Sequence, residues 1–396
     1  MLNTTLPSLR CPRRKKGKSR CLSPLKIIPK IQSPIGPEVF EIRSGKLQCL
    51  QCHAQYPILE GVAVVVEDVH TYLLSHVKGI SKRVKIEDIP KEYRDDFLEA
   101  QSEIEQEHIE EDLEADRVNA LYLMNHFLRV QPQQHSQENS PTELTWWQPR
   151  PTAGNASPGS PYIDALVRNY WDHGPFSQIK TWLSTHPAIK TPIRAIELGC
   201  GVGGLYRKLK PYLSSYLGID GSFASISMAR HLALGVPDPS SFRVPGDLLQ
   251  GPISREVHIP IEDQPTGQVD WIVGDLESLP LCEETADLCI ALNAIDMLDA
   301  PQELPKLQHS LLKPGGYAIQ SCPYIWHEAV AKRLRKLLPK DIQDSARAAK
   351  WLYEQAGFKI ELNQDHVPWL FFKHFRQIEL YSVHIFMGKK SSSLNT

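Results

Sequence analysis

The stretch Ile193-Arg-Ala-Ile-Glu-Leu-Gly-Cys-Gly-Val-Gly-Gly204 decides how this chain folds. Ile193, Ala195, Ile196 and Leu198 read as a short buried strand. Gly199, Gly201 and Gly203 follow at alternate positions, and Leu205–Lys210 has helical spacing. Strand, glycine turn and helix predict a βα unit. In such a unit bare backbone and unpaired N–H groups at the helix start can face a ligand. The glycines alone fit two other readings. Gly199, Gly201 and Gly204 satisfy a dinucleotide fingerprint, and a tight βα connection needs no ligand at all.

Two neighbouring features decide between them. Glu197 stands just before the turn, poorly placed beside a pyrophosphate and well placed beside a cationic amino acid. Tyr216-Leu-Gly-Ile-Asp220 reads as a second strand ending in an acid that can accept both hydroxyls of a ribose. Glu197-x-Gly-x-Gly-x-Gly followed by Gly218-Ile219-Asp220 resembles the first two motifs of class I S-adenosylmethionine-dependent methyltransferases. Further along, Val269–Val273 is a third strand, and Gly274-Asp275-Leu276 after it is similar to that superfamily's adenine-binding block. The resemblance implies S-adenosylmethionine as cofactor, held by Glu197, Gly199, Cys200, Gly201, Gly203, Asp220, Gly221, Asp275, Leu276 and Asn293. It also implies a Rossmann-like seven-stranded α/β sheet with helices on both faces. A surface turn is the plainer account of Asp275 taken alone.

The later elements follow the same order. Leu288–Leu292 reads as strand four and leads into Asn293-Ala-Ile-Asp296. Pro301–Leu312 reads as a helix, Lys313-Pro-Gly-Gly316 as its stop, and Tyr317–Ser321 as strand five. Ala346–Gln355 is a helix with Ser345 as N-cap. Strand six starts at Gly357-Phe358, and an antiparallel last strand spans Ser382–Met387. Tyr162–Leu183 reads as a helix interrupted near Gly174-Pro175. By resemblance it covers the methionine end of the cofactor and brings His173 near. Asn293-x-x-Asp296, Ser321-Cys-Pro-Tyr324-x-Trp326 and Val367-Pro-Trp-x-Phe-Phe-x-x-x-Arg376 are similar to pieces of the ovothiol synthase methyltransferase domain, which methylates an imidazole nitrogen. Met297 departs from that pattern, where the family carries arginine. The catalytic candidates are Asn293, Asp296, Tyr324 and His173. Their plain alternatives are a turn residue, a solvent-facing acid, a packed aromatic and a structural histidine.

Ahead of this domain, expected over 161–390, residues 1–70 read as a small β-rich unit. Glu41–Ile42 and Lys46–Leu47 flank an expected turn at Ser44-Gly45. Cys49-Leu-Gln-Cys52, Tyr56-Pro57-Ile58 and a strand over Gly61–Val66 follow. This segment resembles the small zinc-ribbon-like proteins that partner or precede methyltransferases. Here Cys11-Pro12 matches the start of a first knuckle, but Arg14 stands at its second cysteine and Cys21 is the substitute. Zinc on Cys11, Cys21, Cys49 and Cys52 is one reading, and a ribbon without metal is the other. Residues 71–130 read as a helical connector and 131–160 as a flexible linker containing Trp146-Trp147.

The chain has 396 residues, 41% hydrophobic and 23% charged, with net charge −2, so nothing global favours nucleic acid. The exception is the basic run Arg13, Arg14, Lys15, Lys16, Lys18 and Arg20, either a solvated arm or an RNA contact. No apolar run is long enough to span a membrane, and the thiols do not form a disulfide framework, so a cytoplasmic protein is expected. The expected activity is methyl transfer to a small molecule or peptide, at an imidazole or other nitrogen. An RNA methyltransferase is the alternative, ahead of a non-catalytic cofactor-binding scaffold and a nicotinamide oxidoreductase.

Overall fold

The computed structural model describes residues 1–14, 19–106, 112–127, 173–234, 243–245, 254–256, 268–374 and 377–391. The expected linker 131–160, most of the 236–266 insertion, residues 162–172 and Lys15, Lys16 and Lys18 lie outside them. Strands β1 (Leu25–Gly36), β2 (Val39–Cys49), β3 (Gln55–Leu59) and β4 (Val62–Ala63) form an antiparallel sheet in sequence order. The turn expected at Ser44-Gly45 is not there. β2 runs straight through it, and the chain reverses between Gly36 and Val39. Gly45 serves a different need. A Cβ at that position would lie 2.6 Å from the Ile28 carbonyl oxygen, so glycine lets β1 pass closely.

Among the described residues four helices follow the ribbon sheet: α1 (Val69–Ser75), α2 (Val77–Ser81), α3 (Arg94–Gln106) and α4 (Asp112–Phe127). The Asp68 carboxylate caps α1 by accepting from the Thr71 N–H at 3.1 Å. The second half of the chain then alternates. α5 (Pro175–Thr185), β5 (Ile193–Leu198), α6 (Gly204–Leu209), β6 (Leu213–Asp220) and α7 (Phe223–Leu234) come first. The short strands β7 (Arg243–Pro245) and β8 (Ser254–Glu256) pair with each other, before β9 (Gln268–Val273) and β10 (Ala286–Leu292). The rest is α8 (Glu303–Leu311), β11 (Leu312–Cys322), α9 (Glu328–Leu337), α10 (Ser345–Gln355), β12 (Phe358–His374) and β13 (Gln377–Lys390).

The main sheet has seven strands in the order β12-β13-β11-β10-β5-β6-β9. It is parallel except for β13, which runs antiparallel to both its neighbours. The central strands are apolar on both faces because helices cover both faces. α10 starts one residue earlier than expected, at Ser345. Asp344, not Ser345, accepts from the Arg347 N–H at 2.8 Å. The strand order reverses between β5 and β10, and the carboxyl ends there are where open α/β sheets gather ligands.

The ribbon sheet is fused to this sheet. Val64 pairs in parallel with Val273, and the Val65 N–H donates to the Val273 carbonyl at 3.0 Å, continuing the main sheet past β9. Beneath this joint lies a buried charge cluster. Arg230 of α7, 1% exposed, binds Asp270 of β9 and, at 2.9 Å, Glu41 of β2. The second Asp270 oxygen accepts from the Leu2 N–H and the Thr5 hydroxyl, each at 2.7 Å. Helices α1 and α4, within the expected 71–130 connector, bond to the second half of the chain. The Tyr72 hydroxyl donates to the Gly221 carbonyl at 2.8 Å. Asn119 accepts from the Ser225 hydroxyl at 2.7 Å. Asn125 exchanges two hydrogen bonds, 2.9 and 2.7 Å, with the Phe372 backbone.

A buried cation is tolerated only while its partners stay in place. Asp270→Ala should therefore destabilise the folded chain by about 3–5 kcal/mol in urea unfolding. A loss below about 1 kcal/mol would show that the joint does not depend on this carboxylate.

Candidate functional site

The glycine turn rests on the end of β6. The N–H groups of Gly199 and Cys200 both donate to the Ile219 carbonyl, at 2.8 and 3.0 Å. Gly199 and Gly203 have φ of +72° and +75°, a conformation that costs glycine little and other residues more. The Gly201 N–H donates to one Asp220 oxygen at 2.9 Å, and the Ser222 N–H to the other at 2.8 Å. The carboxylate thus sits between the glycine turn and the start of α7. Burial raises its pKa, and the two backbone donors work against that rise. Each oxygen keeps a lone pair for a further donor. Beside it, a Cβ on Gly221 would meet nothing within 4 Å.

Glu197 is buried and accepts a hydrogen bond from the Tyr216 hydroxyl. Burial pushes its carboxyl up to about 8. The Tyr216 bond pulls against the rise, and the Asp220 charge adds to it. Asp275 is exposed and caps its own turn, accepting from the Glu277 N–H at 2.9 Å and the Ser278 hydroxyl at 3.3 Å. Leu276 opens that turn, half-buried.

A second cluster forms at the ends of β10 and β11. Asn293 has φ +53°, and its N–H donates to the Ser321 carbonyl at 2.7 Å. Asn293 Oδ1 and Ser321 Oγ are both buried without a hydrogen-bond partner among the described residues, which is costly unless a ligand supplies one. Asp296 is buried, not solvent-facing, and accepts from the Ile325 N–H at 2.8 Å. That bond ties the Pro323–Trp326 loop to strand four.

Tyr324, at φ +60°, places its hydroxyl 2.7 Å from His384 Nδ1, and His384 Nε2 lies 2.7 Å from Asn363 Oδ1. An amide oxygen only accepts, so Nε2 carries the proton, Nδ1 holds a lone pair, and Tyr324 donates. Burial pulls the His384 imidazole down to about 4, so it is neutral at pH 7. The Trp326 ring stacks on Tyr324 with centroids 5.7 Å apart, fixed by a 3.0 Å bond from its Nε1 to Ser345 Oγ. His384 and Asn363 went unnoticed in the sequence because they sit on separate strands with no local motif.

His173 does not join either cluster. It is exposed, just before α5, and makes no hydrogen bond among the described residues. The helix lying over the glycine turn is α4. Tyr122 sits 3.9 Å from the Cβ position of Gly201, and His126 packs directly on Gly204. With Phe176, Trp369 and Phe371 these rings form one contact network. Its closest pair is His126–Phe176 at 5.0 Å. Hydrophobic periodicity marked 112–127 as helical but could not say what it covers.

The four ribbon cysteines converge as well. The sulfurs of Cys11, Cys21, Cys49 and Cys52 all lie within 4.8 Å of one another, and none is in a disulfide. Cys11 and Cys52 are 3.5 Å apart, Cys21 and Cys49 3.7 Å. A tetrahedral zinc with bonds of about 2.3 Å needs sulfurs about 3.8 Å apart. The N–H groups of Gln51 and Cys52 both point at Cys49 Sγ, at 3.4 Å. Burial opposes ionisation there, but these donors together with the Cys52 and Cys11 side chains outweigh it and lower the thiol to about 6. Among the described residues no helix is long and apolar enough to cross a membrane.

Residues 196–320, from β5 to β11, match the family model of a methyltransferase domain. No curated protein matches the chain. Among solved structures the chain is similar to a methyltransferase-activator complex from Haloferax volcanii, at 16% identity and TM-score 0.37 over 59% of this chain and 95% of that one. It is similar to magnesium protoporphyrin IX methyltransferase from Synechocystis, at 17% and 0.35 over 62% and 94%. It is also similar to an S-adenosylmethionine-dependent methyltransferase from Methanosarcina mazei, at 14% and 0.36 over 52% and 97%. The family match makes residues 196–320 a methyltransferase domain, and the enzyme's cofactor is S-adenosylmethionine. The residues present fit it. Asp220 lies against the glycine turn with lone pairs to spare, the space over Gly221 is open, and Asn293 Oδ1 lacks a partner among the described residues.

Glu197 gives this site a pH signature. Its folded pKa lies near 8, above the ordinary 4.5, so the folded chain holds a proton that the unfolded chain releases between those values. Stability should fall as pH rises through that window, by up to about 1.4 kcal/mol per pH unit. Glu197→Gln keeps an acceptor for Tyr216 and removes the proton, so its melting temperature should vary less between pH 5 and about 8 than the parent's. Parallel profiles would overturn the assignment.

Proposed function

We propose that this enzyme methylates a nitrogen of a small molecule or peptide, an imidazole or a comparable flat ring nitrogen. The observation that carries the reading is Asn293 Oδ1, buried without a partner among the described residues at the end of β10, where the Asn293 N–H reaches the Ser321 carbonyl of β11. In this reading Asp220 takes the ribose diol, Asp275 and Leu276 the purine edge, and Glu197 with Gly199–Gly203 the methionine end. When bound, the sulfonium cofactor supplies an electrophilic methyl and a neutral leaving group, so the protein's task is positioning and exclusion of water.

Asn293 Oδ1 would accept the N–H of the acceptor ring and aim the ring's other lone pair. Tyr324 already gives its proton to His384, so its oxygen presents only lone pairs and would accept a second N–H. Asp296 holds the Tyr324 loop through Ile325 and does not itself touch the acceptor. The rings of Tyr122, His126, Trp369 and Phe371 offer apolar faces to a flat acceptor and help keep the site dry.

The RNA reading comes second. Arg14 pairs with Glu67 at 3.3 Å and Arg20 donates to the Glu277 carbonyl, so these two arginines of the arm already face protein groups. We also propose that Cys11, Cys21, Cys49 and Cys52 hold a structural zinc.

Incubation with S-adenosylmethionine and histidine-containing peptides, thiohistidine or RNA, read by mass spectrometry, should give a methyl-sized gain on a ring nitrogen. Asn293→Ala and Tyr324→Phe should each lower kcat/KM by roughly tenfold to a hundredfold. A gain found only on RNA, or full activity in both variants, would refute the reading. Metal analysis of the full chain should find one zinc, and Cys52→Ser should lose it and melt at lower temperature. Metal-free protein of unchanged stability would retire the zinc.

A further inference from the structure

The turn that carries Asp220 has neighbours from the N-terminal half of the chain. α1 and α2 are seated on the start of α7, where the Asp220 turn lies. A Cβ on Gly79 of α2 would be 3.4 Å from Ala224 Cβ. The Tyr72 hydroxyl is bonded at 2.8 Å to the carbonyl of Gly221, the residue after Asp220. The His76 ring stacks on Tyr72 with centroids 4.0 Å apart and planes 20° from parallel. Two rings from the N-terminal unit therefore stand at the edge of the open space over Gly221.

The tautomer of His76 is fixed by its surroundings. Its Nδ1 lies 3.0 Å from the Tyr72 carbonyl, which only accepts, and 3.0 Å from the Ser75 hydroxyl, whose own proton goes to that carbonyl at 3.1 Å, so Nδ1 carries the proton. Nε2 then presents a lone pair and makes no hydrogen bond among the described residues. Burial lowers the imidazole's pKa, which keeps it neutral, and the nearby Asp220 charge only partly opposes this. A neutral acceptor and a carboxylate near the same turn suit a vicinal diol, whose two hydroxyls are both donors.

We propose that the nucleoside half of the site is composite: His76 Nε2 accepts from one ribose hydroxyl while Asp220 accepts from the other. The N-terminal helices thereby become part of the cofactor site and confer preference for a ribose over a deoxygenated sugar. This rests on the assignment of S-adenosylmethionine as cofactor.

The test is calorimetric titration of the full chain with S-adenosylhomocysteine and with its 2′,3′-dideoxyribosyl analogue. The parent should prefer the ribosyl compound. His76→Ala should bind S-adenosylhomocysteine about tenfold more weakly, with little change for the dideoxy analogue. His76→Gln, whose Oε1 can accept, should recover most of that loss. Equal weakening for both compounds would mean His76 only packs, and unchanged binding would mean it faces no ligand. Either result overturns the proposal and leaves the cofactor assignment standing. Failure of the folded parent to bind S-adenosylhomocysteine would instead overturn both.

Discussion

The Asp220 carboxylate is the point on which this structure turns. It is a half-buried acid, and burial disfavours its charge. It is tolerated because the glycine turn and the start of α7 each direct a backbone N–H at it. That geometry needs a bend at Gly199–Gly203 that brings bare backbone over the end of β6, and it needs α7 to begin immediately after the strand. The requirement explains why the motif is so dense in glycine. A bulkier turn would move the Gly201 donor away and leave a half-buried charge short of a partner.

The parts of the fold legible in the sequence were those with a local period or a local turn signal. β5, β6, β9 and β10 announce themselves by apolar runs, and the glycine turn by its spacing. The antiparallel last strand was also expected, though not its length. β12 and β13 extend past the sheet edge, and Phe372 there reaches Asn125 of α4. Gly45 was misread because glycine marks a turn and a close strand approach equally well.

Long-range contacts were harder to see. The Tyr324–His384–Asn363 chain joins residues far apart in sequence through the register of β11, β12 and β13. Periodicity cannot predict which rows of a sheet align. The same holds for α4 over the glycine turn. An amphipathic pattern says that one face is buried, not what lies beneath it. The charge of Arg230 likewise gave no hint that it would be buried with Asp270 and Glu41 from two different sheets.

α7 links these observations. Its first turn carries Ala224 against Gly79 and Ser225 bonded to Asn119. Ala229 faces Gly203, and Arg230 holds the joint to the ribbon. A helix of twelve residues is a stiff rod held by buried contacts at several points. Displacing its Arg230 end from the ribbon would shift the face that supports the glycine turn and the turn that orients Asp220. The ribbon, its cysteine cluster and the cofactor site are therefore not independent modules placed side by side. They share one helix, so whatever keeps the ribbon folded also helps hold the donor's binding geometry in place.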